Sequence, residues 1–342
     1  MSLIFMDGFD HIAAGGELKK WDGQRDATDY SATVDTGRDG RGRSLKIQFG
    51  HLWRYVPAQS EYIVGFAYKT DSLPTGNRTL IYFGDGKADT QVTLKLTPAG
   101  KLQAYCEDVG PTALGTPTQV LSTATWYYIE FRALIHATAG SVSVRINGTV
   151  DSSASDVETQ VADSALVTNI YVGNGGDVGK YGWFDDLYIC DTNGSRNKNF
   201  LGDCRIDTLL ANGNGANSEW TGSDGNQTDN YALVDEDQGS FSDYVKGTSA
   251  SQVDCYTFGD LPITPPSVAG VQVSAMAKRN SALFRKIALV SRVGGVNYVQ
   301  GGRYLSTDER FYRHINEVQP SGAGAWTKDV IDGAQFGVQV LA

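Results

Sequence analysis

Cysteine is scarce and unpaired in this chain: Cys106, Cys190, Cys204 and Cys255 are spread over 342 residues with no C-x-x-C pair. That excludes a disulfide scaffold and a zinc site of the usual spacing. The expected state is four thiols packed as small apolar groups, with a Cys190–Cys204 bridge left open by position. Methionine is rarer still, at 3, and no heptad run exists, which argues against coiled-coil trimerisation. The four histidines, His11, His51, His136 and His314, lie far apart with no ligand-pair spacing. No G-x-S-x-G elbow, P-loop or H-E-x-x-H motif is present. No apolar run approaches the roughly 20 residues of a membrane span. The opening Met1–Asp10 lacks a basic leader region and its apolar run stops after Met6, so neither signal peptide nor anchor is expected, and the protein is expected to be made and kept in the cytoplasm. Positive charge is also short: 29 Lys and Arg face 39 Asp and Glu, a net charge of −10. Residues 1–192 carry 16 against 23 and residues 193–342 carry 13 against 16, so nucleic acid is not an expected partner.

What the chain does hold is turn-formers and strand-formers. Gly 40, Tyr 17 and Phe 13, with few helical patterns, predict an all-β protein. Its length predicts two domains. Between Trp126 and Asp191 the apolar runs alternate with period two and are broken by Gly, Asn or Asp, which reads as four antiparallel strands. Within Ser141–Val150, Val142, Val144 and Ile146 share one side, and Asn147-Gly148 supplies a tight hairpin turn. This order of a Trp-led strand, a strand ending in Asn-Gly, a short Val-Gly strand and a last strand with Asp-Asp resembles the closing half of a concanavalin A/laminin-G-like jelly roll. The resemblance covers about the first 190 residues and implies an antiparallel β-sandwich.

The polar, aperiodic stretch 193–199 is the expected linker between a sandwich over 1–192 and a smaller one over 200–342. Phe200–Thr208 is expected to open the second domain as a strand, much as Leu3–Asp10 opens the first. A weak repeat favours related modules: Trp21-Asp-Gly precedes Thr28–Asp35 as Trp220-Thr-Gly precedes Thr228–Asp235, with Tyr62–Lys69 and Val271–Lys278 as the next matching strands. Further strands are expected at Phe284–Val293, Val296–Gln300 and Phe311–Val318, with Gly294-Gly295 as a hairpin turn. Trp326–Phe336 is the expected short helix, with Thr327 as N-cap and Val330, Ile331 and Ala334 on one face. Phe336–Leu341 then returns as a strand that closes a compact unit, with no further domain expected beyond it.

Four groups of residues are candidates for function. Trp53 and Tyr55 share a strand face and form either a sugar platform or core. Asp185 and Asp186, with Asp7 and Asp10 of the first strand, either hold Ca²⁺ or accept backbone N–H bonds at a strand crossing; the jelly-roll resemblance implies that the last strand lies beside the first. Lys278, Arg279, Arg285, Lys286, Arg292, Arg303, Arg310 and Arg313 form a basic strip that is either a docking face for an acidic neighbour or a solvated surface. The acidic run Asp235-Glu236-Asp237 falls in a loop, and no strand carries the acid spacing of the β-glucanases that use this fold. The expectation from these absences is no enzyme and no cofactor other than Ca²⁺.

Three segments resemble tailed-bacteriophage virion proteins: Leu3–His11, the junction Phe184–Asp203, and the ending Pro320–Val338. The resemblance implies a structural protein of the particle, tail or tail-fibre associated, with no assigned catalytic site. The expected role is a non-enzymatic virion protein on the particle exterior, in several copies and able to self-associate. It would dock on other virion proteins and touch host-surface glycan. The alternatives are a decoration or head-fibre protein that stabilises the head, and a glycan depolymerase on a concanavalin A-like fold.

Overall fold

The structure, a computed structural model, describes all residues except 1, 12–18, 26–30, 87–89, 108–109, 162, 176–178, 237–241, 282, 284, 323 and 342. Among the described residues the chain is all-β apart from short helical turns, and it divides into two units, Met1–Ile206 and Asp207–Ala342. No described helix is long and apolar enough to cross a membrane.

The first unit contains β1 (Leu3–Asp7), β2 (Gly23–Arg25), β3 (Ser31–Thr36), β4 (Arg43–Phe49), β5 (His51–Gln59), β6 (Glu61–Thr70), β7 (Arg78–Gly84) and β8 (Thr90–Leu96). It continues with β9 (Leu102–Cys106), β10 (Thr112–Leu114), β11 (Tyr127–Leu134), β12 (Gly140–Ile146), β13 (Thr149–Val157), β14 (Val167–Gly175) and β15 (Gly182–Asp191). These strands form an eight-stranded sheet ordered β13-β12-β11-β6-β15-β4-β3, and a seven-stranded sheet ordered β10-β9-β8-β7-β14-β5-β2. The remaining strand of the larger sheet, β1, pairs with Leu187–Cys190 of β15, beyond the stretch that β4 occupies at Gly182–Phe184. All ladders are antiparallel.

Alternation explains the sandwich. On β6 and β11, Val64, Phe66, Ile129 and Phe131 point inward to meet Ile81, Phe83, Val92 and Leu94 of the seven-stranded sheet, and all are fully buried. Burying one such side chain contributes about 1.5–3 kcal/mol, so this single contiguous core is the main source of stability. Asn147 and Gly148 adopt positive φ (49° and 78°), the requirement of the two-residue hairpin turn that joins β12 to β13. Among its described residues, the stretch from Trp126 to Asp191 holds five strands rather than the expected four, and the additional one is the nine-residue β13. Its Ser- and Asp-rich sequence, TVDSSASDV, hides the alternation because only Asp151, Ser152 and a few small residues turn inward at an edge.

Residues 200–206 are not a strand. They lie across the outer face of the eight-stranded sheet within the first unit, and Ile206 is its last residue. The strand expectation for Phe200–Thr208 therefore fails: its backbone groups bond to side chains. Leu201 N–H donates to the Tyr188 hydroxyl at 3.1 Å, and Gly202 N–H to the Glu130 carboxylate at 2.8 Å.

The second unit contains β16 (Ala211–Ser218), β17 (Thr221–Gly222), β18 (Val245–Lys246), β19 (Val253–Phe258), β20 (Val271–Ala277), β21 (Lys286–Val293), β22 (Val296–Tyr304), β23 (Arg310–Asn316), α1 (Lys328–Asp332) and β24 (Gln335–Leu341). A five-stranded sheet ordered β16-β19-β24-β21-β22 packs its Leu289 and Phe336 against Val273 of the β20–β23 ribbon and against Trp326 and Ile331. Thr327 caps α1, its hydroxyl accepting from Val330 N–H at 3.4 Å, and Gly294 and Gly295 turn the β21–β22 hairpin at positive φ. Within the repeat, Ser31–Thr36 is a strand whereas Asn230–Leu233 is a 3-10 turn. The two copies of the Trp-led motif thus differ in local structure. The expected strand start at Phe284 and the Asp237 end of the acidic run lie outside the described residues.

Candidate functional site

On the seven-stranded sheet the core residues leave their neighbours facing outward. Leu52 and Val56 point into the core, so Trp53 and Tyr55 point away from it; Ile170 and Val172 do the same for Tyr171, and Ile81 and Phe83 for Tyr82. Register then aligns these side chains. Trp53 pairs with Tyr171, Tyr171 with Tyr82, Tyr82 with Thr93, and Thr93 with Tyr105. The result is a cross-strand row of aromatics about 19 Å long, four strand spacings.

Within the row, Tyr82 and Tyr171 are stacked, with centroids 3.9 Å apart and planes 13° from parallel. Trp53 lies 6.3 Å from Tyr171 and meets Tyr55 edge-on at 4.6 Å. Tyr55 is 61% exposed and Tyr82 only 5%, so the row runs from an open end to a floor held by its neighbours. Glycine makes this layout fit: a Cβ on Gly23 would sit 2.7 Å from the Trp53 ring. His51 packs edge-on against Tyr82 at 5.2 Å, and its Nε2 lies 3.2 Å from the Thr79 carbonyl.

Polar groups border the far end. Lys95 and Glu107 form an ion pair at 2.7 Å, with the Lys95 ammonium 5.0 Å above the Tyr105 ring. The Thr93 hydroxyl donates to Glu107 at 2.5 Å, and Asn77 donates to the Tyr105 hydroxyl at 3.2 Å. Aromatic faces beside fixed hydrogen-bonding groups are what a sugar ring requires: its C–H faces stack and its hydroxyls bond in the plane. The sequence pointed to Trp53 and Tyr55. Tyr82, Tyr105 and Tyr171 went unnoticed because only strand register brings them beside Trp53; the available signal was a Tyr flanked by inward-facing apolar residues on each strand.

Of the four aspartates expected at the first and last strands, Asp7 turns inward, whereas Asp10, Asp185 and Asp186 interact with one another. Asp7 shares the inner face of β1 with Phe5 and is fully buried. It accepts from Lys20 at 3.1 Å, the Trp21 indole at 3.0 Å and Phe9 N–H at 2.9 Å. Burial raises its pKa, but Lys20, His11 and the Phe9 amide outweigh it and hold the carboxyl below its ordinary value. Asp185 and Asp186 face outward together because β15 bulges between Asp185 and Tyr188 and Asp186 takes φ 50°, so Phe184 and Leu187 both stay in the core.

Asp186 forms an ion pair with the Arg38 guanidinium at 2.9 Å and accepts from Arg205 at 3.2 Å and Ile206 N–H at 2.8 Å. Asp185 accepts from Arg38 N–H at 2.7 Å and Asp186 N–H at 2.8 Å. Burial, with the Asp186 carboxylate beside it, pushes Asp185 up to about 8. Asp10 is close enough to raise it further, while its own carboxylate accepts from Arg43 N–H at 2.7 Å. Among the described residues no group of three or more His, Cys, Asp or Glu is arranged to hold a metal ion. Guanidinium and amide donors occupy the Asp185 and Asp186 oxygens, and this network ties residues 203–206 to the sheet.

The eight basic residues of the second unit divide between two ladders. Lys278, Arg279, Arg310 and Arg313 lie on or beside the β20–β23 ribbon; Arg285, Lys286, Arg292 and Arg303 lie on or beside β21–β22. Lys278 pairs with Glu309 at 2.7 Å, Arg279 donates to the Leu305 carbonyl at 3.0 Å, and Arg292 donates to Asn297 at 2.9 Å. All four thiols are free, so no Cys190–Cys204 bridge exists.

No family model matches the chain, and no curated protein matches it in sequence. Solved structures similar to it include the alginate lyase Aly36B, at 14% identity and TM-score 0.39 over 60% of this chain and 98% of that one. Domain 4 of AbnA, an extracellular arabinanase from Geobacillus stearothermophilus in complex with arabinotriose, is 17% identical with TM-score 0.35 over 47% and 75%. A carbohydrate esterase from the Shiga toxin-encoding bacteriophage phi24B is 14% identical with TM-score 0.36 over 52% and 95%. These findings correct one expectation. With a lyase, an esterase and a domain of a glycoside hydrolase among the similar structures, the missing motifs do not make this chain a non-enzyme, and that expectation is withdrawn.

Proposed function

We propose that the first unit is a glycan-binding sandwich of a tailed-phage particle and that a short saccharide chain lies along Trp53, Tyr171, Tyr82 and Tyr105. The observation that supports this is the register-aligned aromatic row, open at Tyr55 and bordered by Asn77, Lys95 and Glu107. Multiple copies on a particle, docked on other virion proteins, would turn weak single contacts with host-surface glycan into firm attachment.

The experiment is binding of the full chain to immobilised host-surface polysaccharide, with Trp53→Ala and Tyr171→Ala. Loss of retention in both variants with an unchanged thermal midpoint supports the reading; undiminished retention refutes it. Locating the chain in a cryo-EM map of the particle tests the virion role, and a position away from every host-facing surface would remove host attachment from it.

A second reading, cleavage of the bound glycan, draws support from Glu107. This carboxylate sits at the end of the row between Thr93 and Lys95, where a base could reach a bound ring. The length of the saccharide recovered from the binding experiment, with and without Glu107→Gln, tests it.

A further inference from the structure

The opposite outer face of the same unit carries a groove of about 440 Å³, over β11, β12 and β13 and bounded by Asn199 and Phe200. That volume lies in the range of small-molecule sites. Its polar groups are unusual in what they lack. The Arg145 guanidinium stacks on the Phe200 ring at 4.2 Å, and its buried Nε has no hydrogen-bond partner. Among the described residues Arg145 forms no ion pair or hydrogen bond through its side chain.

Around it, Ser141 and Ser143 on β12 stand opposite Ser155 and Ser153 on β13. None of these four hydroxyls has a side-chain hydrogen bond among the described residues. Arg132, by contrast, is neutralised: its Nε and Nη2 both lie 2.7 Å from Glu61 Oε1. The groove therefore holds one uncompensated positive charge, fixed by an aromatic ring, beside two rungs of paired hydroxyls.

We propose that this groove binds an acidic saccharide, its oxyanion on the Arg145 guanidinium and its hydroxyls on the Ser141–Ser155 and Ser143–Ser153 rungs. A guanidinium held flat presents a fork that matches a carboxylate or sulfate in two parallel bonds. Serine hydroxyls both donate and accept, which suits a polyol. The chain's net charge of −10 repels anions in general, so attraction at this spot is local. The site is separate from the aromatic row and does not depend on it.

The test is calorimetric titration of the full chain with a tri-uronate, a sulfated trisaccharide and an uncharged trisaccharide. Saturable binding of either acidic probe, at least tenfold weaker in Arg145→Gln, supports the site, and the tighter of the two names the anion. If Arg145→Gln lowers the thermal midpoint, the Ser143→Val/Ser153→Val pair carries the test, with several-fold weaker binding expected. Equal affinity for the uncharged probe, loss of binding in Trp53→Ala, or no binding of either acidic probe at millimolar concentration overturns it.

Discussion

The Trp53 ring lies over Gly23, where a single added methyl group would stand 2.7 Å from the indole. The two residues face each other across the β2–β5 ladder, so a backbone position without a side chain sets the orientation of the aromatic that begins the row. Gly23→Ala is expected to tilt Trp53 and weaken glycan retention several-fold. Trp fluorescence and binding of the same preparation check this together; a changed emission with full retention would separate Trp53 from the site.

Tyr82 and Tyr171 are predicted to respond differently to truncation although they stack on each other. Tyr82 is nearly buried, so Tyr82→Ala should destabilise by about 3–5 kcal/mol. Tyr171 is half-buried, so Tyr171→Ala should reduce binding more than stability. Chemical denaturation beside a binding isotherm distinguishes the two outcomes.

Arg38 joins Asp186 to Asp203 and to the Cys204 carbonyl. Removing it leaves the Asp186 carboxylate, which has almost no solvent contact, with Arg205 as its remaining cation. Arg38→Ala should cost about 3–5 kcal/mol and expose residues 200–206 to protease before the sheets unfold. Limited proteolysis with mass readout would show cleavage there first, and cleavage elsewhere would deny the network its fastening role.

Asp185 supplies a pH dependence with a defined sign. Its pKa is raised from 3.8 to about 8 in the fold, so the folded state binds the proton more tightly than the unfolded one. The stability this provides is complete below 3.8 and is lost as pH rises toward 8. The thermal midpoint should fall across that window, and Asp185→Asn should flatten the fall even where it lowers the midpoint overall. Parallel slopes in both proteins would show that another group controls the dependence.

Cys106, Cys190 and Cys255 are buried, and burial pushes the Cys255 thiol up to about 12, as it does Cys204. Thiol titration of the native chain at neutral pH should be slow at all four positions and become complete on denaturation. Prompt labelling of any of the three buried cysteines would contradict the packing.

Several features were written locally. Period-two alternation in Val142, Val144 and Ile146 assigns one face of β12 to the core, and Asn147-Gly148 dictates a turn, because both depend on neighbours along the chain. Composition likewise settled the all-β class, and Thr327 announced the short helix. Strand β13 is hard to read because a serine-rich edge strand needs few apolar residues, and residues 200–206 depart from the parallel with Leu3–Asp10 because their backbone partners lie far back in sequence, at Glu130, Asp186 and Tyr188. Trp53 and Tyr55 could be picked out as two aromatics on one strand face. That Tyr171, Tyr82 and Tyr105 complete the row was decided by the tertiary structure alone, since β5, β14, β7, β8 and β9 become neighbours only through antiparallel pairing between distant segments. The Arg145 groove likewise arises only when β11, β12 and β13 form one sheet face and Phe200 returns beside it, because spatial convergence of charge and hydroxyls leaves no period in a sequence.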